Sequence, residues 1–324
     1  MRVLVTGGAG YVGSHMAHAL VREGHAVVVL DDLSAGHRAA VPAGAAFVEG
    51  SVADRAAVGA LLRQHGVEAV LHFAARIQVG ESVTDPRRYY EGNVGASIAL
   101  LDAVLDAGVR SFVLSSTAAV YGDPVRVPID EDHPTAPINP YGDTKLAIER
   151  MLAAYGRAYG LRWAALRYFN AAGADTAAGL GEHHDPETHL VPIVLDAALG
   201  KRPSVTVFGD DYDTPDGTCI RDYVHVLDLC EAHRMALEHL AAGGEGGAFN
   251  LGTGRGHSVR EVVEAARAVT GKPIRVEQGP RRAGDPPRLV ASPERAAKVL
   301  GWRARRASLD DIVRAAWTVR SAHG

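Results

Sequence analysis

The sequence predicts an α/β fold: a doubly wound parallel sheet with a smaller C-terminal α/β unit. Two observations carry this. Short, wholly apolar, β-branched runs alternate with longer helical patterns through the first 170 residues. Strands that are apolar on both faces are the mark of a parallel sheet covered on both sides. Beyond residue 170 the alternation becomes irregular, and the elements become shorter.

Val3-Leu4-Val5 reads as a buried strand and Tyr11 to Glu23 as a helix, with Gly24 just past its end. Ala26–Leu30 and Ala46–Glu49 are the next strands. Asp54 stands in an N-cap position for a helix reaching about His65. Ala69–Phe73 is a strand, about Pro86 to Ala107 a long helix, and Ser111–Ser115 a strand. Pro140 opens a helix running to Tyr159, and Arg162–Tyr168 follows as a strand. Residues 171–190, rich in Gly, Ala, Asp and His, read as a long loop of the kind used for lids. Helices are expected near 192–199, 225–241, 258–270, 293–299 and 308–320, with strands near 204–208 and 248–251. The expected division is 1–170, with some later segments returning to it, and 171–324.

Composition narrows the function. Hydrophobic residues are 47% and charged residues 22% of 324, which excludes a disordered chain. Lys plus Arg number 34 against 38 Asp plus Glu, with no basic run, so nucleic acid is not expected as a partner. Two cysteines, Cys219 and Cys230, make neither a disulfide scaffold nor a zinc pattern and point to a cytoplasmic protein. No secretory segment and no membrane span is expected.

Thr6-Gly7-Gly8-Ala9-Gly10-Tyr11-Val12-Gly13 lies between strand one and helix one. Its glycines allow a tight turn and let backbone N–H groups approach a pyrophosphate at the helix N-terminus. Asp31 follows 18 residues after Gly13, at the end of strand two. A carboxylate there accepts from both ribose hydroxyls of an adenosine and repels a 2′-phosphate, and Asp32 adds to the repulsion. The expected cofactor is therefore NAD on a Rossmann-type half.

Tyr141 and Lys145 are four apart on a helix and share a face. An ammonium near a phenol is expected to lower the Tyr pKa and make it a base. Ser115-Ser116-Thr117 precede it at a strand end, where parallel sheets place ligands.

With these motifs the chain resembles the extended short-chain dehydrogenase/reductase family, and within it the UDP-galactose/UDP-glucose 4-epimerases. Further segments carry the resemblance: His72–Ala75, Val79–Val83, Ser115–Gly122, Pro140–Lys145, Arg167–Asn170, Arg221–Val226 and Arg282–Asp285. The resemblance implies NAD-dependent, reversible epimerisation at C4 of a UDP-hexose through a 4-keto sugar. Tyr141 is then the base, Lys145 tunes it and holds the nicotinamide ribose, and Thr117 is the hydroxyl partner. Tyr121 is expected to pack beside them.

The implied cofactor set begins with Gly7, Gly10, Tyr11, Val12, Gly13 and Asp31. It continues with Ser51 and Val52, then Phe73, Ala74 and Ala75, and finally Asn93, Ser115 and Tyr168. Ser51 stands where many members carry an Asp against adenine, and Arg76-Ile77 where some carry a Lys.

For the substrate, Asn170, Arg221 and Arg282 are implied at the diphosphate and Asp285 at the uridine ribose. Leu190 and Phe208 are implied beside uracil. His189 replaces an Asn of some members, and Leu289 stands at a gate beside the sugar C2 substituent. Leucine there suggests UDP-galactose over its N-acetylated counterpart. Arg76 leaves UDP-glucuronate or a UDP-pentose open.

Dehydratases of this family carry proton-transferring acids after the Thr. Ala118-Ala119 offer none, which weighs against dehydration. A net oxidoreductase would release NADH. The intact Thr117, Tyr141 and Lys145 set weighs against an NAD-sensing regulator. His183-His184-Asp185 and His189 read as a polar lid with no metal. The helices near 86–107 and 141–159 are implied as the four-helix interface of a homodimer.

Overall fold

Alternate residues of the first strands face opposite cores, and both cores are apolar. Val3 and Val5 enter one cluster and Leu4 the other; Val27 and Val29 divide from Val28 and Leu30 in the same way. This period-two sorting requires helices on both faces of the sheet. A computed structural model describes residues 1–282 and 285–322; Ala283 and Gly284, within one of the resemblance segments, lie outside the described residues.

The strands are β1 (Arg2–Thr6), β2 (Ala26–Asp31), β3 (Ala46–Glu49), β4 (Ala69–His72), β5 (Ser111–Thr117) and β6 (Arg162–Tyr168). Then come β7 (Asn170–Ala172), β8 (Val205–Phe208), β9 (Ile220–Arg221), β10 (Tyr223–His225) and β11 (Gly247–Leu251). Short strands β12 (His257–Ser258), β13 (Val276–Gly279) and β14 (Arg288–Leu289) complete the set. The helices are α1 (Tyr11–Arg22), α2 (Arg55–Gln64), α3 (Val79–Thr84), α4 (Pro86–Tyr89), α5 (Ala96–Asp106) and α6 (Pro140–Tyr159). They continue as α7 (Leu190–Ala198), α8 (Val226–Ala241), α9 (Val259–Thr270) and α10 (Leu309–Ala322).

Seven parallel strands form the main sheet in the order β11-β6-β5-β4-β1-β2-β3. The order reverses between β1 and β4, the switch point where doubly wound sheets bind dinucleotides. Helices α1 and α8 cover one face through Met16, Leu20, Leu229 and Leu237. Helices α2, α5 and α6 cover the other through Leu61, Leu62, Leu100, Leu101, Ile148 and Leu152. A third core joins α7, α9 and α10 around Val194, Leu195, Val262, Ile312 and Val313. Among the described residues, no helix is long and apolar enough to cross a membrane.

Local chemistry explains the expected boundaries. Asp54 caps α2 by accepting from the Ala57 N–H at 2.9 Å. Asn139 caps α6 by accepting from the Gly142 N–H at 2.9 Å, with Pro140 in the first turn. Gly160 ends α6 at φ 70°, a left-handed position suited to glycine.

Two expectations need correction. The long helix over 86–107 is broken by a π-helical turn at Tyr90–Gly95 between α4 and α5. The widened turn carries Asn93 to a buried position, where it holds the Arg76 backbone on both sides. The loop over 171–190 begins with a strand, β7, which pairs with β10.

Candidate active site

The site begins at the glycine turn. Gly7 adopts φ +69°, and a Cβ there would stand 2.5 Å from the Ala74 backbone nitrogen. A Cβ on Gly13 would stand 2.2 Å from the Gly7 carbonyl oxygen. Any side chain at either position would therefore push apart β1, α1 and the segment after β4. Gly10 caps α1 with no side-chain hydrogen bond, so the first-turn N–H groups of Tyr11, Val12 and Gly13 suit an anion. The donor set fits the pyrophosphate of a dinucleotide.

Asp31 closes this turn from β2. Its Oδ2 accepts from the Ala9 N–H and its Oδ1 from the Leu33 N–H, both at 2.9 Å. Burial raises its pKa, those hydrogen bonds oppose the rise, and Asp32 adds to it. Ser51 lies exposed after β3 and accepts from the Ala53 N–H at 3.2 Å. Val52 packs on the second core. Phe73 lies against His233, with ring centroids 4.7 Å apart. Ala74 abuts Gly7, and Ala75 continues that segment. Tyr11 turns its hydroxyl to the Gly173 carbonyl at 2.8 Å, which ties α1 to the segment after β7.

The reactive groups converge at the C-terminal end of β5. Lys145 is buried and donates to the Ser115 carbonyl at 2.9 Å. Ser115 Oγ and the Tyr168 hydroxyl are 2.6 Å apart. Thr117 accepts from the Ala119 N–H at 3.1 Å and shares a hydrogen bond with Tyr141. Burial raises the Tyr141 pKa well above its ordinary value, the neighbouring Tyr168 adds to this, and the Thr117 hydrogen bond offsets part. This reverses the expected sign, because burial outweighs any effect of Lys145. Burial also pushes Lys145 down to about 8, against the pull of Glu149.

Beneath lies a network that sequence reasoning missed. Arg167 and Glu149 form an ion pair at 2.5 Å with both side chains buried. Ser116 donates to Glu149 at 2.5 Å. Arg167 donates to the Tyr121 hydroxyl at 2.8 Å, and Tyr121 donates to Asn250 Oδ1 at 2.7 Å. Tyr121 thus packs behind the site rather than in it. One signal was available: Glu149 follows Lys145 by one helical turn.

The second half supplies cations. Arg221 pairs with Asp285 and donates to the carbonyls of Ile220 and Pro286, each at 2.9 Å. Arg282 lies over the Phe208 ring at 3.9 Å from its centroid. Asn170 begins β7, and its N–H donates to the Asp222 carbonyl at 3.0 Å. Leu289 is in register with Arg221 and packs on the cluster of Ala118, Tyr121 and Leu146. Leu190 starts α7 against the third core, and His189 caps that helix.

The lid differs from its expected reading. His183 turns away to the His37 ring, with centroids 4.9 Å apart. His184 and His189 instead converge with Glu182 and Glu187. Burial lowers both imidazoles, but contact with the two carboxylates outweighs it and brings them to about 9 and about 10.

The profile of the NAD dependent epimerase/dehydratase family matches residues 3–252. The chain belongs to this family. It is 51% identical to a UDP-glucose 4-epimerase of Halalkalibacterium halodurans, over 100% of this chain and 96% of that protein. It is 52% identical to one of Corynebacterium glutamicum, over 100% and 97%. The crystal structure of the UDP-glucose 4-epimerase of Brucella ovis in complex with NAD superimposes with a TM-score of 0.95. That structure shares 52% identity and is covered to 97%, with 98% of this chain. As an NAD-dependent epimerase/dehydratase, the chain differs from a dehydrating design at Ala118 and Ala119. These side chains bring no ionisable group to the reactive hydroxyls.

Proposed function

We propose that the chain interconverts UDP-galactose and UDP-glucose by reversible epimerisation at C4 through a 4-keto sugar. The observation that carries this reading is the meeting of Tyr141, Thr117 and Lys145 at the end of β5, with alanines at 118 and 119. When bound, NAD would supply the acceptor for the C4 hydride and the donor that returns it. Gly7, Gly10, Tyr11, Val12 and Gly13 hold its pyrophosphate, and Asp31 its adenosine ribose. Ser51, Val52, Phe73, Ala74, Ala75, Asn93, Ser115 and Tyr168 line it.

Tyr141 takes the proton of the sugar 4-hydroxyl, and Thr117 holds that hydroxyl in line. Burial alone keeps Tyr141 protonated, so a base at neutral pH needs nearby positive charge. Lys145, with a pKa of about 8, is largely protonated at neutral pH and supplies it. Alanines 118 and 119 leave the ketone only one exit, renewed reduction.

Arg221 and Arg282 grip the diphosphate with Asn170, and Asp285 accepts from the uridine ribose. The Arg221–Asp285 pair holds both groups in place beforehand. Leu190, His189 and Phe208 surround the uracil, and Leu289 meets the sugar. Residues 1–170 with β11 and α8 form the cofactor unit, and the rest mainly the nucleotide-sugar unit. The protein works as a cytoplasmic homodimer. Exposed Val83, Tyr90, Ile98 and Tyr159 on the α3–α5 and α6 helices support that interface.

The test is purified protein incubated with UDP-galactose, with products resolved and NAD read after denaturation. Tyr141→Phe is expected to lower turnover about 10³-fold while NAD is retained. Unchanged turnover would overturn the assigned base. Light scattering on the same preparation is expected to give twice 34.2 kDa.

A further inference from the structure

The lid between β7 and α7 holds a group of side chains of which the substrate site described above uses only His189. Glu182, His184, Glu187 and His189 each present one donor atom, and these four atoms all lie within 4.8 Å of one another. His184 Nδ1 stands 3.4 Å from Glu182 Oε1 and 3.7 Å from Glu187 Oε1. His189 Nδ1 stands 2.7 Å and 3.5 Å from the same two oxygens. For bonds of about 2.0–2.2 Å, a tetrahedral zinc site has donor–donor edges of about 3.4 Å. Three of the four separations fall within 0.3 Å of that edge, and the short fourth would open by under 1 Å.

Proximity is not matched by hydrogen bonding. His184 Nδ1 and His189 Nδ1 are buried and have no hydrogen-bond partner among the described residues. The two ring nitrogens and the two carboxylates thus lie within reach of one shared centre without closing a hydrogen-bonded network. Glu187 is the most buried of the four, with 4% of its side chain exposed, and its Oε2 is likewise without a partner. Its Oε1 is fixed by the N–H groups of Thr188 at 2.9 Å and His189 at 3.0 Å, as supported metal ligands commonly are.

The loop is also gripped from outside. Arg320 of α10 donates to the Glu182 carbonyl at 3.0 Å, and Arg202 to the Glu187 carbonyl at 3.4 Å. Both guanidinium groups make their ion pairs with Asp196 rather than with these carboxylates. A divalent ion would displace the imidazole protons and balance the two buried carboxylates in their place. Nitrogen donors favour a first-row transition ion over calcium or magnesium. Four protein ligands and no open position describe a structural rather than a catalytic centre.

We infer that Glu182, His184, Glu187 and His189 bind one divalent transition-metal ion of the zinc class, which pins the lid beside Tyr11 and the start of α7. The Tyr11 and His184 rings stand edge to face at 6.5 Å, so the ion would lie close to the first turn of α1.

The test uses the full-length protein carrying its NAD. It is stripped with a chelator and titrated with zinc against a chromophoric competitor, with metal content read by mass spectrometry. One zinc per chain is expected, with X-ray absorption giving mixed nitrogen and oxygen neighbours near about 2.0 Å. His184→Ala and Glu187→Gln are each expected to weaken zinc binding about 100-fold or more, with circular dichroism and NAD content unchanged. Zinc is also expected to raise the melting temperature of the wild-type protein and not that of His184→Ala. Wild-type protein that takes up no zinc from the competitor would overturn the inference. So would equal uptake by wild type and His184→Ala, which would mark the metal as adventitious. If both variants misfold, nitrogen and oxygen scattering from wild type decides, and its absence overturns the site.

Discussion

Two buried clusters of charge stand close to the cofactor side of this molecule, and they are built on opposite plans. Behind the reactive strand end, Glu149 and Arg167 are paired, and Ser116, Tyr121 and Asn250 satisfy the remaining atoms. In the lid, Glu182, His184, Glu187 and His189 stand 2.7–3.7 Å apart but leave three polar atoms without hydrogen bonds among the described residues. A finished network serves as a rigid support. An unfinished one is costly unless something else completes it. The contrast separates a part that positions the chemistry from a part that awaits a ligand.

The largest expected effect strikes the finished network. Arg167→Met leaves Glu149 buried without its partner and is expected to lower stability by about 3–5 kcal/mol, read from denaturant midpoints. Replacing both residues with apolar ones is expected to recover most of that loss. A single variant as stable as wild type would end the distinction between the two clusters.

A smaller effect is expected at Leu289, which packs on the reactive loop yet belongs to β14. Leu289→Ser is expected to raise the kcat/KM ratio of UDP-N-acetylgalactosamine to UDP-galactose about tenfold or more. An unchanged ratio in a steady-state assay of both sugars would remove Leu289 from specificity.

A pH-dependent effect is expected at Lys145. Burial depresses its pKa from 10.5 to about 8, so the folded protein binds fewer protons there than the unfolded chain between those values. Stability therefore rises with pH across that window and is lost as pH falls toward 8, by at most about 1.4 kcal/mol per pH unit. Lys145→Met is expected to flatten that slope, measured by chemical denaturation at several pH values. An identical slope would show that the ammonium stays charged in the fold.

Periodicity and turn chemistry made the sheet legible. Apolar runs marked β1, β2, β4 and β5, Asp54 marked the start of α2, and the glycine turn marked the cofactor edge. The π turn at Tyr90–Gly95 is hidden because Gly92, Asn93 and Gly95 weaken a helix without fixing the width of its turns. The Glu149–Arg167 pair joins a helix to a strand, and no spacing rule connects them. In the lid, the sequence groups His183, His184, Asp185 and His189, whereas the structure leaves His183 and Asp185 aside and adds Glu182 and Glu187. Irregular backbone sets which side chains converge, and it leaves no period to read. Tyr141 shifts opposite to the direction its spacing from Lys145 suggests, because spacing reveals a neighbour but not the depth of burial.

The seventh strand has a consequence for biosynthesis. The edge of β6 is completed by β11, whose first residue lies 79 positions after the last of β6. A nascent chain that has emerged only through residue 170 therefore exposes an unpaired parallel edge, ready to join another copy. The intervening residues must leave the ribosome before that edge is closed, so slow synthesis across this stretch is the period of greatest risk of aggregation.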